Sequence, residues 1–110
     1  MKLWSKIYTF YYRWHYQKYS VIECSEQPDR LKDGVCYCLE DDGFAWAVKL
    51  KCPCGCGEAF VLNLVGTRPL WKARVSKKRL SISPSIWRTT GCKSHFWIIS
   101  GRIKWANNYN

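Results

Sequence analysis

Acidic residues are scarce in this chain. Asp and Glu number 8 against 18 Lys and Arg in 110 residues, a formal net charge of +10. That imbalance favours an acidic partner, whether nucleic acid, an anionic membrane surface or an acidic protein; the plainer reading is a soluble basic surface. Long apolar runs are missing too, and no stretch approaches the ~20 residues that a transmembrane helix needs. The opening Met1-Lys2-Leu3-Trp4 leads into neither an apolar h-region nor a small-residue cleavage site, so a reducing, cytoplasmic setting is expected. There is no internal repeat. Histidines number 2 and form no His-Glu-x-x-His, which sets ordinary helical metalloprotease chemistry aside. A core is not lacking: the chain is 47% hydrophobic and 16% aromatic, the composition of one folded domain rather than of a disordered segment.

Against these absences stand 7 cysteines. Three lie one residue apart in Lys51-Cys52-Pro53-Cys54-Gly55-Cys56-Gly57-Glu58, and a fourth returns in Gly91-Cys92-Lys93-Ser94-His95-Phe96. Thiolates crowded beside Gly and Pro make a tight knuckle, and a knuckle with a distant Cys is what a tetrahedral Zn2+ site requires. The competing reading is a disulfide or plain buried thiols. Disulfide geometry resists such short loops, and an odd cysteine count in a reducing compartment argues for metal. Such a site would tie the C-terminal segment to the middle of the chain and add folding energy to a small domain. Cys36 and Cys38, one residue apart, face the same side of a strand and read mainly as core thiols, as does Cys24.

In residues 1–20, Trp4, Ile7, Tyr8, Tyr11, His15 and Tyr19 recur at three- and four-residue steps with basic residues between them. This predicts a basic amphipathic helix, although the aromatic richness would also suit a strand. Packing on the core is its default role; a partner-docking arm or an interfacial membrane anchor are sharper alternatives. From Val21 the pattern turns β. Pro28 to Gly34 is a turn-rich connector, and strands are predicted at Val35 to Glu40 and Ala45 to Leu50, about a turn at Asp42-Gly43. Glu58 to Val65 alternates as a strand, Trp71 to Val75 and Leu80 to Ile86 follow, and Phe96 to Trp105 forms a terminal hairpin through Ser100-Gly101. Asn107 to Asn110 is a polar tail. The expected fold is mainly β: a small twisted antiparallel sheet or half-open barrel with a zinc knuckle, residues 21–110, preceded by a basic aromatic arm, residues 1–20, with a possible helix.

Three motifs stand in order: Cys-Pro-Cys-Gly-Cys-Gly-Glu at 52–58, then Ser81-Ile82-Ser83-Pro84-Ser85-Ile86, then Cys92-Lys93-Ser94-His95-Phe96 with Gly101-Arg102-Ile103-Lys104-Trp105. Together they resemble the bacterial domain-of-unknown-function family 6527, from about Leu31 to Trp105, with Gly34-Val35-Cys36-Tyr37 marking the start. The resemblance implies a component of bacterial ubiquitin-like conjugation operons, found beside a ubiquitin-like protein and E1- and E2-like enzymes. It also implies a peptidase role, maturing or removing the ubiquitin-like protein. Such proteins often carry a His just ahead of the knuckle; here Lys51 stands at that place.

A peptidase needs a nucleophile, a base and an oxyanion stabiliser. Ser85 follows Pro84, whose ring restricts the backbone and could present the hydroxyl on a rigid turn. If Cys52, Cys54, Cys56 and Cys92 hold zinc, His95 is left to form a dyad with Ser85, and Glu58 could orient the imidazole. Ser83 and Ser94 are rival hydroxyls, but adjacent Ser94 and His95 point to opposite strand faces. His95 could otherwise be the fourth zinc ligand with three of the cysteines, a closed structural site; zinc with an open position and Glu58 as base could activate water. The rival to an enzyme is a zinc-stabilised binding module. Lys72, Arg74, Lys77, Lys78 and Arg79 beside Trp71, with Arg88, Arg102 and Lys104, would suit phosphate contacts and base stacking on nucleic acid, or a protein partner in a conjugation complex.

Overall fold

A computed structural model describes residues 18–106. The helix expected within residues 1–20 lies, apart from its last three positions, outside the described residues, as do His15 and the polar tail. The all-β expectation holds: among the described residues eight strands form two four-stranded sheets and there is no helix. In the first sheet β1 (Ser20–Cys24), β2 (Val35–Asp41), β3 (Phe44–Lys51) and β4 (Ala59–Asn63) lie side by side in chain order. The second has the same simple order: β5 (Lys72–Ser76), β6 (Arg79–Trp87), β7 (His95–Ile99) and β8 (Arg102–Trp105).

Neighbours pair antiparallel except β1 and β2, which are parallel. Strand period alone is blind to that difference. The connector 25–34 is long enough to return the chain to the start of β2, since even half-extended it reaches well beyond a five-residue strand. It also packs down locally, the Lys32 N–H donating to the Tyr37 hydroxyl at 3.0 Å.

Turn chemistry explains the hairpins. Asp42 and Gly43 (φ 50° and 81°) and Ser100 and Gly101 (φ 48° and 77°) take the positive φ values that two-residue hairpin turns demand. The β5–β6 turn does the same with Lys77 and Lys78 (φ 52° and 63°), residues that carry no turn signal.

The two sheets share one core. Cys36, Cys38, Val48, Leu50 and Leu62 come from the first, and Leu80, Ile82, Ile86, Phe96, Ile98 and Ile103 from the second. Phe96, fully buried, meets Phe60 of the first sheet and Trp105 of its own edge-on, at centroid distances of 6.4 and 5.5 Å. Cys36 and Cys38 are thus core side chains, and burial pushes both thiols up. Tyr19 belongs to this core as well. Its N–H donates to the Gly101 carbonyl at 2.6 Å and its hydroxyl to the Lys51 carbonyl at 2.7 Å, so it bridges the sheets immediately before β1.

Candidate active site and cysteine cluster

The knuckle is the hairpin loop between β3 and β4. The Cys52 N–H donates to the Glu58 carbonyl at 2.8 Å and closes a loop of seven residues. Within it Gly55 and Gly57 adopt φ of 91° and 84°, which lets the chain turn sharply enough to aim alternate cysteines inward. The partner loop, residues 88–94, joins β6 to β7 and is closed by the Arg88 N–H on the Ser94 carbonyl at 2.8 Å. One hairpin loop from each sheet therefore meets at the same point.

There the sulfurs of Cys52, Cys54, Cys56 and Cys92 all lie within 4.8 Å of one another. Cys52 is 3.4 Å from Cys54 and 3.6 Å from Cys92. A tetrahedral zinc with four thiolates would set its sulfurs about 3.8 Å apart, so the donor set and spacing fit a metal of that kind. The electrostatics agree. The hydrogen bond with Cys52, reinforced by burial, pushes the Cys54 thiol up to about 12, while that same contact with Cys54 draws Cys52 down. Burial pushes Cys56 up as well. Thiolates this close repel one another, and a divalent cation bound among them would offset that repulsion.

Hydrogen-bond donors face the sulfurs. The Cys56 N–H donates to the Cys54 sulfur at 3.3 Å, and Arg88 Nη1 lies 3.8 Å from the Cys56 sulfur and 3.7 Å from that of Cys92. The Arg88 guanidinium also lies over the Phe60 ring, 4.9 Å from its centroid. Glu58 is exposed, and its carboxylate forms an ion pair with Arg88 (Oε2 to Nη2, 3.7 Å). Through Arg88, Glu58 engages the cysteine side. Lys51, just before the knuckle, is paired with Asp33 at 2.8 Å.

The second constellation lies on the outer face of the second sheet. Between Ile82 and Ile86, β6 advances four residues while its partner β7 advances two, from Ile98 to Phe96. Ser83-Pro84-Ser85 thus span a single β7 residue, Trp97, and form a bulge. Pro84 has no N–H to give to a ladder, so a bulge is where a strand can hold it, and bulges re-aim the side chains they carry. Trp71 fixes the bulge, its indole N–H donating to the Ser85 carbonyl at 3.3 Å. Regular pairing resumes with Ile86 opposite Phe96 and continues with Trp87 opposite His95. Ser85 and Trp87 share the outer face while Ile86 points into the core, so Ser85 and His95 become diagonal neighbours across the strands.

Their contact is short: His95 Nε2 stands 2.8 Å from Ser85 Oγ. The structure brings these two residues together and holds His95 apart from the four-sulfur cluster. Ser94, the rival hydroxyl, is buried, and its Oγ has no hydrogen-bond partner among the described residues. Ser83 is exposed beside β5, opposite Lys72.

Four features were not anticipated. Trp87 stacks on His95 with centroids 4.9 Å apart and planes 7° from parallel, and Trp97 adds a tilted contact at 5.6 Å. Trp71 is half-buried against the core rather than offered for base stacking. Arg88 faces the cysteines rather than open solvent. The spacings Ser85-x-Trp87 and His95-x-Trp97 carried a signal for the first two, since residues two apart in a strand share a face. The other two depended on which loops meet in space. At the far end of β6, Lys18, Arg79 and Arg102 line one small cleft with Ser100.

The family model described as bacterial ubiquitination-like system serine protease (BubE) matches residues 23–106. No curated protein and no solved structure matches the chain significantly. The match spans most of the chain and both constellations, so the chain belongs to the bacterial ubiquitination-like system serine protease family, and the resemblance to a component of bacterial ubiquitin-like operons is borne out.

Proposed function

We propose that this family member is a serine peptidase whose nucleophile is Ser85 and whose general base is His95, acting on a ubiquitin-like protein to mature it or to release it from a conjugate. The observation that carries the reading is the 2.8 Å contact between Ser85 Oγ and His95 Nε2, made within a proline-containing bulge. With the imidazole neutral and its proton on Nδ1, Nε2 accepts the serine proton as Oγ adds to the substrate carbonyl. The imidazolium then gives that proton to the departing amine, leaving an acyl-enzyme. Water, deprotonated by the same imidazole, releases the acid and restores the serine.

In this reading the cysteine cluster holds zinc as a closed, structural tetrathiolate site. All four donors are protein sulfurs, which is the pattern of sites that stabilise rather than react. Zinc held by these four cysteines would supply folding energy where the hairpin loops of the two sheets meet, and through Cys92 would anchor the loop that leads into His95. Glu58 enters through Arg88, balancing the guanidinium that faces Cys56 and Cys92.

The test is cleavage of a ubiquitin-like precursor from the same kind of operon. Ser85→Ala and His95→Ala should each abolish cleavage with metal content unchanged. Full activity of Ser85→Ala together with metal loss in His95→Ala would replace the dyad by metal-activated water. The cleft of Lys18, Arg79 and Arg102, adjoining the turn of Lys77 and Lys78, supports a second reading as a binding module for an anionic partner such as nucleic acid. Binding to DNA or RNA that weakens steeply with salt, with no cleavage of any ubiquitin-like protein, would favour it.

A further inference from the structure

We propose that Trp87 is a positioning residue for the dyad: its indole holds the His95 ring in the orientation that sets Nε2 on Ser85 and favours the imidazolium formed as the serine proton is taken. This rests on the dyad reading above.

The geometry is specific. Trp87 and His95 are directly opposed in the β6–β7 register, and their rings lie 4.9 Å apart and 7° from parallel. Directly opposed strand residues have the Cβ separation that lets two flat rings overlap. Yet Trp87 remains 61% exposed and has no place in the core cluster, so burial does not account for its conformation. Its imidazole contact does. The outer torsion of a histidine is intrinsically broad, as it is for sp³–sp² bonds generally. A parallel indole on one side and the tilted Trp97 ring nearby narrow that freedom to orientations that keep Nε2 within reach of Ser85.

The indole face also carries negative quadrupole density. Of the aromatic side chains, Trp interacts best with a cation over its face, so the stack is stronger once the imidazole is protonated. That difference between ground state and transition state is what aids the chemical step. The stack is braced from the cysteine side. Arg88, the next residue, is fixed by its backbone to Ser94 and by its side chain to Cys56, Cys92 and Glu58.

The experiment follows the rate at which a fluorophosphonate probe modifies Ser85 in the full chain, with zinc content measured alongside. Trp87→Ala should slow labelling by about tenfold to a hundredfold, the scale on which small misplacement of a catalytic group is felt. Trp87→Phe, which keeps a ring to stack, should recover most of the rate. In precursor cleavage the loss should fall on kcat, with KM nearly kept. A proton NMR readout is independent of chemistry: the His95 ring protons should sit upfield in the wild type, shielded by the indole, and move downfield in Trp87→Ala. Wild-type labelling by Trp87→Ala, or a Trp87→Phe as slow as Trp87→Ala, would overturn the proposal and leave the dyad standing. Failure of the wild-type protein to label at Ser85, with the upfield shift present, would sink the dyad reading and this proposal with it.

Discussion

His95 Nε2 and Ser85 Oγ lie 2.8 Å apart although ten residues separate them in the chain, because a bulge in β6 and a cysteine-bearing loop before β7 converge on one face of the second sheet. Each device is separable by mutation.

The bulge is held by Trp71. Trp71→Phe keeps an aromatic ring against the core and removes only the hydrogen bond to the Ser85 carbonyl. A single hydrogen bond of this kind contributes about 1 kcal/mol. Denaturant unfolding should show a loss of that order, and fluorophosphonate labelling of Ser85 should slow while zinc content stays unchanged.

The cysteine cluster should be essential to the fold and separate from the chemistry. Cys54→Ser or Cys92→Ser should lose metal and unfold or aggregate, as read by elemental analysis and circular dichroism. Cys36→Ala and Cys38→Ala, confined to the core, should keep full metal content at reduced stability. Chelation of the wild-type protein should inactivate it slowly, at the pace of unfolding. Instant inactivation with the fold intact would show a metal that takes part in the reaction.

Phe96 is the side chain on which the sheets meet. Phe96→Ala removes a fully buried ring that touches both Phe60 and Trp105. The expected cost is about 3–5 kcal/mol, a large part of the stability of a small domain. Chemical denaturation should show it directly, without any change in the identity of the labelled serine.

The β5–β6 turn stores conformational strain that can be relieved. Lys77 and Lys78 both occupy the left-handed region, where Asn and Gly are at ease. The double substitution Lys77→Asn with Lys78→Gly should raise stability by about 1 kcal/mol, seen as a higher denaturation midpoint at unchanged slope. The same pair of changes removes two charges beside the Lys18, Arg79 and Arg102 cleft, so any nucleic-acid affinity should fall as the fold strengthens.

How much of this was legible in the sequence follows from what is local. Asp42-Gly43 and Ser100-Gly101 announce their turns because positive φ is written in residue type. The cysteine spacing announces a metal-type cluster because single-residue steps between thiols leave few other uses. The division into two sheets and the parallel β1–β2 pair left no such mark, since strand alternation is the same in either arrangement. Lys77 and Lys78 form a turn without turn residues, so the neighbouring strands override local preference there. Glu58 and Arg88 could not be paired in advance, because their contact arises only where two hairpin loops from different sheets meet. The Trp87 stack was half legible, as residue spacing puts Ser85 and Trp87 on one face but says nothing of which strand lies opposite.

The central claim is that Ser85 is activated by His95 while the four cysteines serve the fold. It is tested most directly by intact-mass spectrometry after fluorophosphonate treatment, paired with zinc analysis of the same samples. The account predicts one adduct on the wild-type protein, mapped to Ser85, and none on Ser85→Ala or His95→Ala, with the same zinc content in all three. An adduct on Ser85→Ala, or a His95→Ala protein that has lost its zinc, would contradict it.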